Sequence, residues 1–183
     1  MSNFLKTLVL TSILSGVTPA FAGEKDVTLY KNPECGCCEG YADYLRQNGF
    51  SVTVKPTHVL AAISRDAGIP DEAQGCHLSM IDGYAVSGHV PIGTVKKLLT
   101  ERPDIKGVTL PGMPMGSPGM SGTKEGPFEM LKIRQSGGVG GVYARVRASQ
   151  KPDIDFAKSR TSVSLKSGQF DEVGPRRPGF CQG

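Results

Sequence analysis

The chain has 183 residues, a formal net charge of +4 and 38% hydrophobic residues. That length suits one domain with an appendage, and its apolar content is enough to bury a core. The charge is modest and no basic stretch is interleaved with aromatics, which argues against a nucleic-acid partner.

Residues 1–22 read as a signal peptide. Lys6 supplies a short positive start, the run from Leu8 to Val17 is apolar, and Ala20-Phe21-Ala22 is a small-residue cleavage site. Cleavage there leaves a mature chain of 161 residues beginning at Gly23, with charge +3 after loss of Lys6. No later apolar run reaches the roughly 18 residues of a membrane helix. The expectation is an exported, periplasmic protein with no membrane span.

Val27-Thr28-Leu29-Tyr30 reads as a strand. Directly after it comes Cys35-Gly36-Cys37-Cys38, with three thiols in four residues. A helical pattern follows through Leu45, carrying Tyr41, Tyr44 and Leu45, and Asn48-Gly49 closes it. The thiols therefore sit on a strand-to-helix turn. The free N–H groups and the dipole of a helix start stabilise thiolate there, the form that binds metal and attacks disulfides.

Phe50, Val52 and Val54 alternate with polar residues, the period of a half-buried strand. Pro56 and Thr57 are expected to open a second helix running to about Ala67, with Thr57 as N-cap, and Gly68-Ile69-Pro70 ends it. A loop from Asp71 to Gly75 leads to Cys76-His77. Leu78 to Ile81 and Tyr84-Ala85-Val86 form a hairpin about Asp82-Gly83. Gly88-His89-Val90-Pro91 then turns into a helix from Ile92 to about Glu101.

The order β-α-β-α-β-β-α, with C-x-x-C after the first strand, points to an α/β thioredoxin-like fold. We expect a four-stranded mixed sheet flanked by helices. From 107 to 127 the chain turns to Gly, Pro and Met, a composition that excludes helix and inner strand, and it reads as a loop lying over the domain. Phe128 to Ile133 and Val142 to Val146 form a C-terminal hairpin around Ser136-Gly137-Gly138. Three parts result: a signal peptide over 1–22, a metal-binding domain over 23–147 and a poorly patterned tail over 148–183 that includes Cys181.

All five cysteines lie in the mature chain, where an oxidising compartment permits disulfides. A disulfide scaffold would scatter an even number along the chain, whereas here three are bunched. No second C-x-x-C or H-x-x-x-H completes a zinc finger.

The motifs resemble those of the bacterial periplasmic copper-resistance family first catalogued as a domain of unknown function, which includes copper-resistance protein G. The resemblance rests on Tyr30-Lys31-Asn32-Pro33-Glu34-Cys35-Gly36-Cys37-Cys38, Cys76-His77, Asp82-Gly83-Tyr84 and Gly88-His89-Val90-Pro91. The last piece is Leu110-Pro111-Gly112-Met113-Pro114-Met115-Gly116-Ser117-Pro118-Gly119-Met120. It covers roughly residues 27–147 and implies a thioredoxin-like fold, copper binding and a role in copper tolerance, with copper-handling proteins of the periplasm as partners.

In a thioredoxin-like domain the loop entering the third strand faces the C-x-x-C turn. Cys76 is then expected beside Cys35 and Cys38, with His89 on the same edge and the Met loop closing over the top. The metal ligands this predicts are Cys35, Cys37, Cys38, Cys76, His77, His89, Met113 and Met115, with Met120 a further thioether. Thiolate and thioether select Cu(I), and imidazole also suits Cu(II).

Each residue has a plainer reading. Cys35 and Cys38 can form only a structural disulfide, Cys37 and Cys76 can be small core residues, His77 can be surface, and His89 can cap the last helix. The methionines can anchor their loop. His58 reads as surface, and Tyr41 and Tyr84 as packing. The competing functions are copper binding, with or without copper redox activity, a passive carrier or chaperone, and a thiol–disulfide oxidoreductase with Cys35 and Cys38 as its catalytic pair. No Ser-His-Asp set or phosphate-cradling Gly loop points to another enzyme class.

Overall fold

A computed structural model describes residues 25–147. The expected signal peptide, the tail from 148 onward and Cys181 lie outside the described residues.

Strand β1 (Lys25–Lys31) buries Val27, Leu29 and Lys31 on one face, following the strand period of two. Helix α1 (Gly36–Gln47) buries Cys38, Tyr41, Ala42 and Leu45, which share one helical stripe. Asn48 ends it, and Gly49 takes a φ of 85° that a side chain would resist. Strand β2 (Phe50–Pro56) returns parallel to β1.

Helix α2 (Leu60–Asp66) begins later than Thr57. Pro56 is still paired with Lys31 in the sheet, and the Thr57 N–H donates to the Lys31 carbonyl at 2.8 Å. The backbone is thus committed to the strand where the helix was expected to open. Val59 holds the N-cap position, and Thr57 only accepts its N–H at 3.2 Å. Asp71–Ala73 is a single 3-10 turn.

Strands β3 (His77–Ile81) and β4 (Tyr84–Ser87) form the expected hairpin, with positive φ at Asp82 and Gly83. Helix α3 (Ile92–Glu101) ends on Arg102 at φ 49°, just before Pro103.

The sheet has seven strands, not the four expected. Its order is β2-β1-β3-β4-β5-β6-β7, with β5 at Gly107–Thr109, β6 at Phe128–Ile133 and β7 at Val139–Val146. The expectation that 107–127 contains no inner strand is overturned, because β5 lies between β4, to which it is parallel, and β6, to which it is antiparallel. Gly107 is what the inner position demands: a Cβ there would run into the Ala85 backbone. Val108 and Thr109 are β-branched and fully buried. The Pro- and Met-rich character starts only after Leu110. Through β5 the C-terminal hairpin joins the same sheet.

Two buried clusters cover the two faces. One gathers Tyr41, Ala42 and Leu45 of α1 with Ile92, Val95 and Leu98 of α3 against Val27, Leu29, Ile81, Val86 and Val108. The other sets Leu60, Ile69 and Ala73 against Leu78, Ala85 and Ile133. Neighbours such as Ala85 and Val86 go to opposite clusters, as a strand period requires. No helix among the described residues is long and apolar enough to cross a membrane.

Candidate metal centre

Strand register brings the site together. Lys31 at the end of β1 pairs with His77 at the start of β3, and Leu78 pairs with Ser87 at the end of β4. The cysteine turn after β1, Cys76 before β3 and His89 after β4 therefore emerge at one end of the sheet.

Two glycines let the last two approach closely. Gly75 precedes Cys76 and Gly88 precedes His89, and a Cβ on Gly75 would overlap the Gly88 backbone. Gly88 also has φ 75°, with the Leu110 carbonyl packed where its Cβ would be. Buried polar groups hold this crossing. Ser87 Oγ accepts the Gly75 N–H at 2.9 Å, Thr109 Oγ1 donates to the Ala73 carbonyl at 2.6 Å, and the Gly88 N–H donates to the His77 carbonyl at 3.0 Å.

The result is two overlapping donor groups. The sulfurs of Cys35, Cys37, Cys38 and Cys76 lie within 4.8 Å of one another, as do ligand atoms of Cys76, His77 and His89. Cys76 belongs to both. Its Sγ is 3.7 Å from Cys38 Sγ, 3.6 Å from His77 Nδ1 and 2.9 Å from His89 Nε2. Cys35 and Cys38 are joined in a disulfide, and Cys37 Sγ lies 3.5 Å from Cys35 Sγ.

Burial sets the protonation. His77 and His89 are both 0% exposed. Burial, and then the neighbouring His89, push the His77 imidazole well below its usual range. Burial also lowers His89, against the opposing pull of the Pro118 carbonyl. Both rings are therefore neutral at neutral pH, the state in which imidazole ligates a metal. Burial pushes the Cys76 thiol up to about 11, so without a metal its proton stays on. A bound cation would displace that proton.

Tyr41 backs the imidazoles. Its ring lies 4.4 Å from that of His77 and 5.5 Å from that of His89, and its hydroxyl donates to the Val90 carbonyl at 2.9 Å. The two imidazoles meet edge to face at 4.8 Å. His77 Nε2 and Ser79 Oγ are buried without a hydrogen-bond partner. Such orphans typically cost on the order of 1–3 kcal/mol each, a burden that a structural core would shed.

The Met loop does lie over this end of the sheet. Gly112 bridges to Gly75, the Pro118 carbonyl meets His89 Nδ1 at 2.6 Å, and Gly119 packs on the backbone of Gly40 and Tyr41. Met115 is 51% exposed, with its side chain against Gly122 of the same loop. Met113 and Met120 are partly buried. His58 is exposed, as expected, but it lies before α2 and not within it.

Two contributors escape a sequence reading. Lys31 is buried, its side chain 3% exposed. Its ammonium donates to the carbonyls of Asn32, Pro33 and Cys35 at 3.2, 3.1 and 3.3 Å and pairs with Glu39 at 3.0 Å, so it anchors the cysteine turn from beneath. The only sequence signal is a lysine at an inward position of β1. The Pro118 carbonyl, a backbone group, leaves no signal at all.

Four sulfurs and two neutral imidazoles converging at one end of a mixed α/β sheet form a candidate soft-metal centre, and the donor chemistry fits such an ion. A family model described as a protein of unknown function, DUF411, matches residues 73–120, which span Cys76, His77, His89 and the Met loop. Two solved structures of copper resistance protein copG, forms 1 and 2, are each 35% identical to the chain with a TM-score of 0.61. Each match covers 67% of this chain, and 98% and 97% of the respective copG chains. No curated protein matches the chain. With that identity over nearly the whole of those relatives, the chain belongs to the copper-resistance family of copG.

Proposed function

We propose that the protein is a periplasmic copper-binding protein, exported by a cleaved signal peptide, that contributes to copper resistance. It holds Cu(I) through Cys35, Cys37, Cys38 and Cys76, with His77 and His89 completing the site and Met113 and Met115 offering thioethers from the loop. The observation that carries this reading is the convergence of four sulfurs within 4.8 Å, one of them, Cys76, brought from 38 residues beyond Cys38 in the chain. Thiolate selects Cu(I), and a thiolate can bridge two such ions, so the site suits several coppers. The imidazoles would also tolerate Cu(II), which makes a change of copper oxidation state part of the reading. Copper-handling proteins of the periplasm are its partners. The strand order β2-β1-β3-β4, with β3 antiparallel to both neighbours, supports a thioredoxin-like core within the larger sheet.

Loading the full ligand set requires the Cys35–Cys38 disulfide to be open. Its reduction takes two electrons, from an external thiol pair for example, and yields two thiols whose protons copper then displaces.

The same disulfide favours a second reading, a thiol–disulfide oxidoreductase based on Cys35 and Cys38. Cys76 Sγ is 3.7 Å from Cys38 Sγ. Once deprotonated it can attack that sulfur, forming a Cys38–Cys76 bond and releasing Cys35 as thiolate with no net change in oxidation state.

A competition titration of the anaerobically reduced full chain, with Cu(I) and Zn(II) each set against a chelator and metal per chain counted, tests the proposal. Cu(I) is expected to bind far more tightly than Zn(II). Preference for zinc, or loss of all copper to the chelator, would sink it.

A further inference from the structure

His89 is pinned from both sides. Its Nδ1 lies 2.6 Å from the Pro118 carbonyl oxygen and its Nε2 lies 2.9 Å from Cys76 Sγ. A carbonyl oxygen can only accept, so Nδ1 carries the hydrogen. In a neutral imidazole the lone pair is then on Nε2, facing the sulfur that belongs to both donor groups.

The loop that supplies this carbonyl is itself fixed. The Ser117 N–H and hydroxyl both donate to the Pro114 carbonyl, at 3.2 and 2.7 Å, and the Met120 N–H donates to the Ser117 carbonyl at 2.9 Å. Gly119, at φ 80°, rests on α1 where the helix also has a glycine. A Cβ on Gly119 would come within 2.6 Å of Tyr41 N, and a Cβ on Gly40 within 3.0 Å of the Gly119 carbonyl. The two glycines form a notch that sets the distance of Pro118 from the helix, and with it from His89.

We propose that the 110–120 loop is a tautomer clamp. Seated in the Gly40–Gly119 notch, it uses the Pro118 carbonyl to hold His89 as the Nδ1–H tautomer, so that Nε2 is kept open as a copper ligand beside Cys76. The loop thus acts on the site through its backbone, in addition to any thioether it offers. Without metal, the Cys76 S–H donates to Nε2. His89 Nε2 and Cys76 Sγ would hold copper in place of that proton, and the Pro118 carbonyl would remain the outer partner that orients the imidazole. A loop lifted from α1 would free the ring to rotate or to take the opposite tautomer.

The clamp rests on the copper-binding reading only for its consequence, and two readouts separate them. The first is nitrogen NMR of the imidazoles in the reduced, copper-free full chain. It is expected to find His89 protonated at Nδ1 and bare at Nε2, and the opposite tautomer in the wild type overturns the clamp. The second is Cu(I) affinity. Gly119→Ala is expected to give mixed His89 tautomers and to weaken Cu(I) binding roughly tenfold or more, the usual range for losing an outer partner. Gly40→Ala pushes on the same notch from the helix and should move both readouts the same way by less, which keeps the test available if Gly119→Ala does not fold. Gly126→Ala, in open space on the same connection, should move neither. A Gly119→Ala chain that retains the tautomer, or changes it with copper affinity intact, overturns the clamp. A wild-type chain that takes up no Cu(I) overturns the copper reading, while the tautomer result still decides the clamp.

Discussion

The two halves of the sheet bury different chemistry. Around β1, β3 and β4 the interior holds Lys31, His77, Ser79, Ser87 and His89, all at 2% exposure or less. At the far end, β6 buries Phe128, Met130 and Ile133, and its charges stay outside, as in the exposed Glu129–Arg145 pair that spans β6 and β7. Burying polar groups costs free energy unless each is matched, and at the first end two atoms are not matched at all. A fold bears such a cost locally where chemistry requires it, while β6 and β7 follow the ordinary pattern of apolar inside and polar outside.

Backbone glycines give the largest contrast between these ends. Gly88→Ala would force a left-handed φ on a side chain and drive its Cβ into the Leu110 carbonyl. We expect a loss of roughly 1–3 kcal/mol from the φ strain alone, and more from the clash. Gly141→Ala in β7 meets nothing within 4 Å and should stay within about 0.5 kcal/mol of wild type. Urea unfolding of both variants checks this, and equal effects would erase the distinction.

A smaller contrast comes from two cations. Lys31→Met removes a buried ammonium and leaves three carbonyls of the cysteine turn without their donor, for an expected loss of about 2 kcal/mol. Arg145→Met removes one partner of an exposed ion pair and should cost no more than about 1 kcal/mol. Finding Lys31→Met as mild as Arg145→Met in the same unfolding assay would mean that Lys31 is not what holds the turn.

The legible parts of the fold are those with a local period. The Val27–Tyr30 strand run, the helical spacing of Tyr41, Tyr44 and Leu45, the Asp82-Gly83 turn and the α3 helix each carry their own signal, and each element lies where that signal puts it, with Tyr44 half-buried and Ala42 taking a buried place on the stripe. Strand β5 is hidden because three residues are too few for a period and the glycine that admits them resembles the loop that follows. The start of α2 is misjudged because a sheet pairing between Pro56 and Lys31, invisible locally, outweighs the capping signal at Thr57. At the site, the meeting of Cys76 with the cysteine turn is legible through topology, since a hairpin after a β-α-β unit returns its first residue to that edge. Lys31 and the Pro118 carbonyl are not legible, because a charged side chain at a strand end reads as exposed and a backbone oxygen has no sequence identity.

The copper site proposed above needs thiolates from two separate parts of the chain, the cysteine turn and Cys76. The direct measurement is Cu(I) competition and copper per chain for Cys76→Ser beside the wild type, with a thermal melt to establish that both are folded. Serine preserves the volume but not the soft ligand, and the Cys35–Cys38 pair is untouched. Fewer coppers bound per chain and an affinity lowered by about tenfold or more are expected, by analogy with lost metal contacts elsewhere. A folded Cys76→Ser chain that binds copper like the wild type would contradict the proposed site and leave the Cys35–Cys38 oxidoreductase as the better reading.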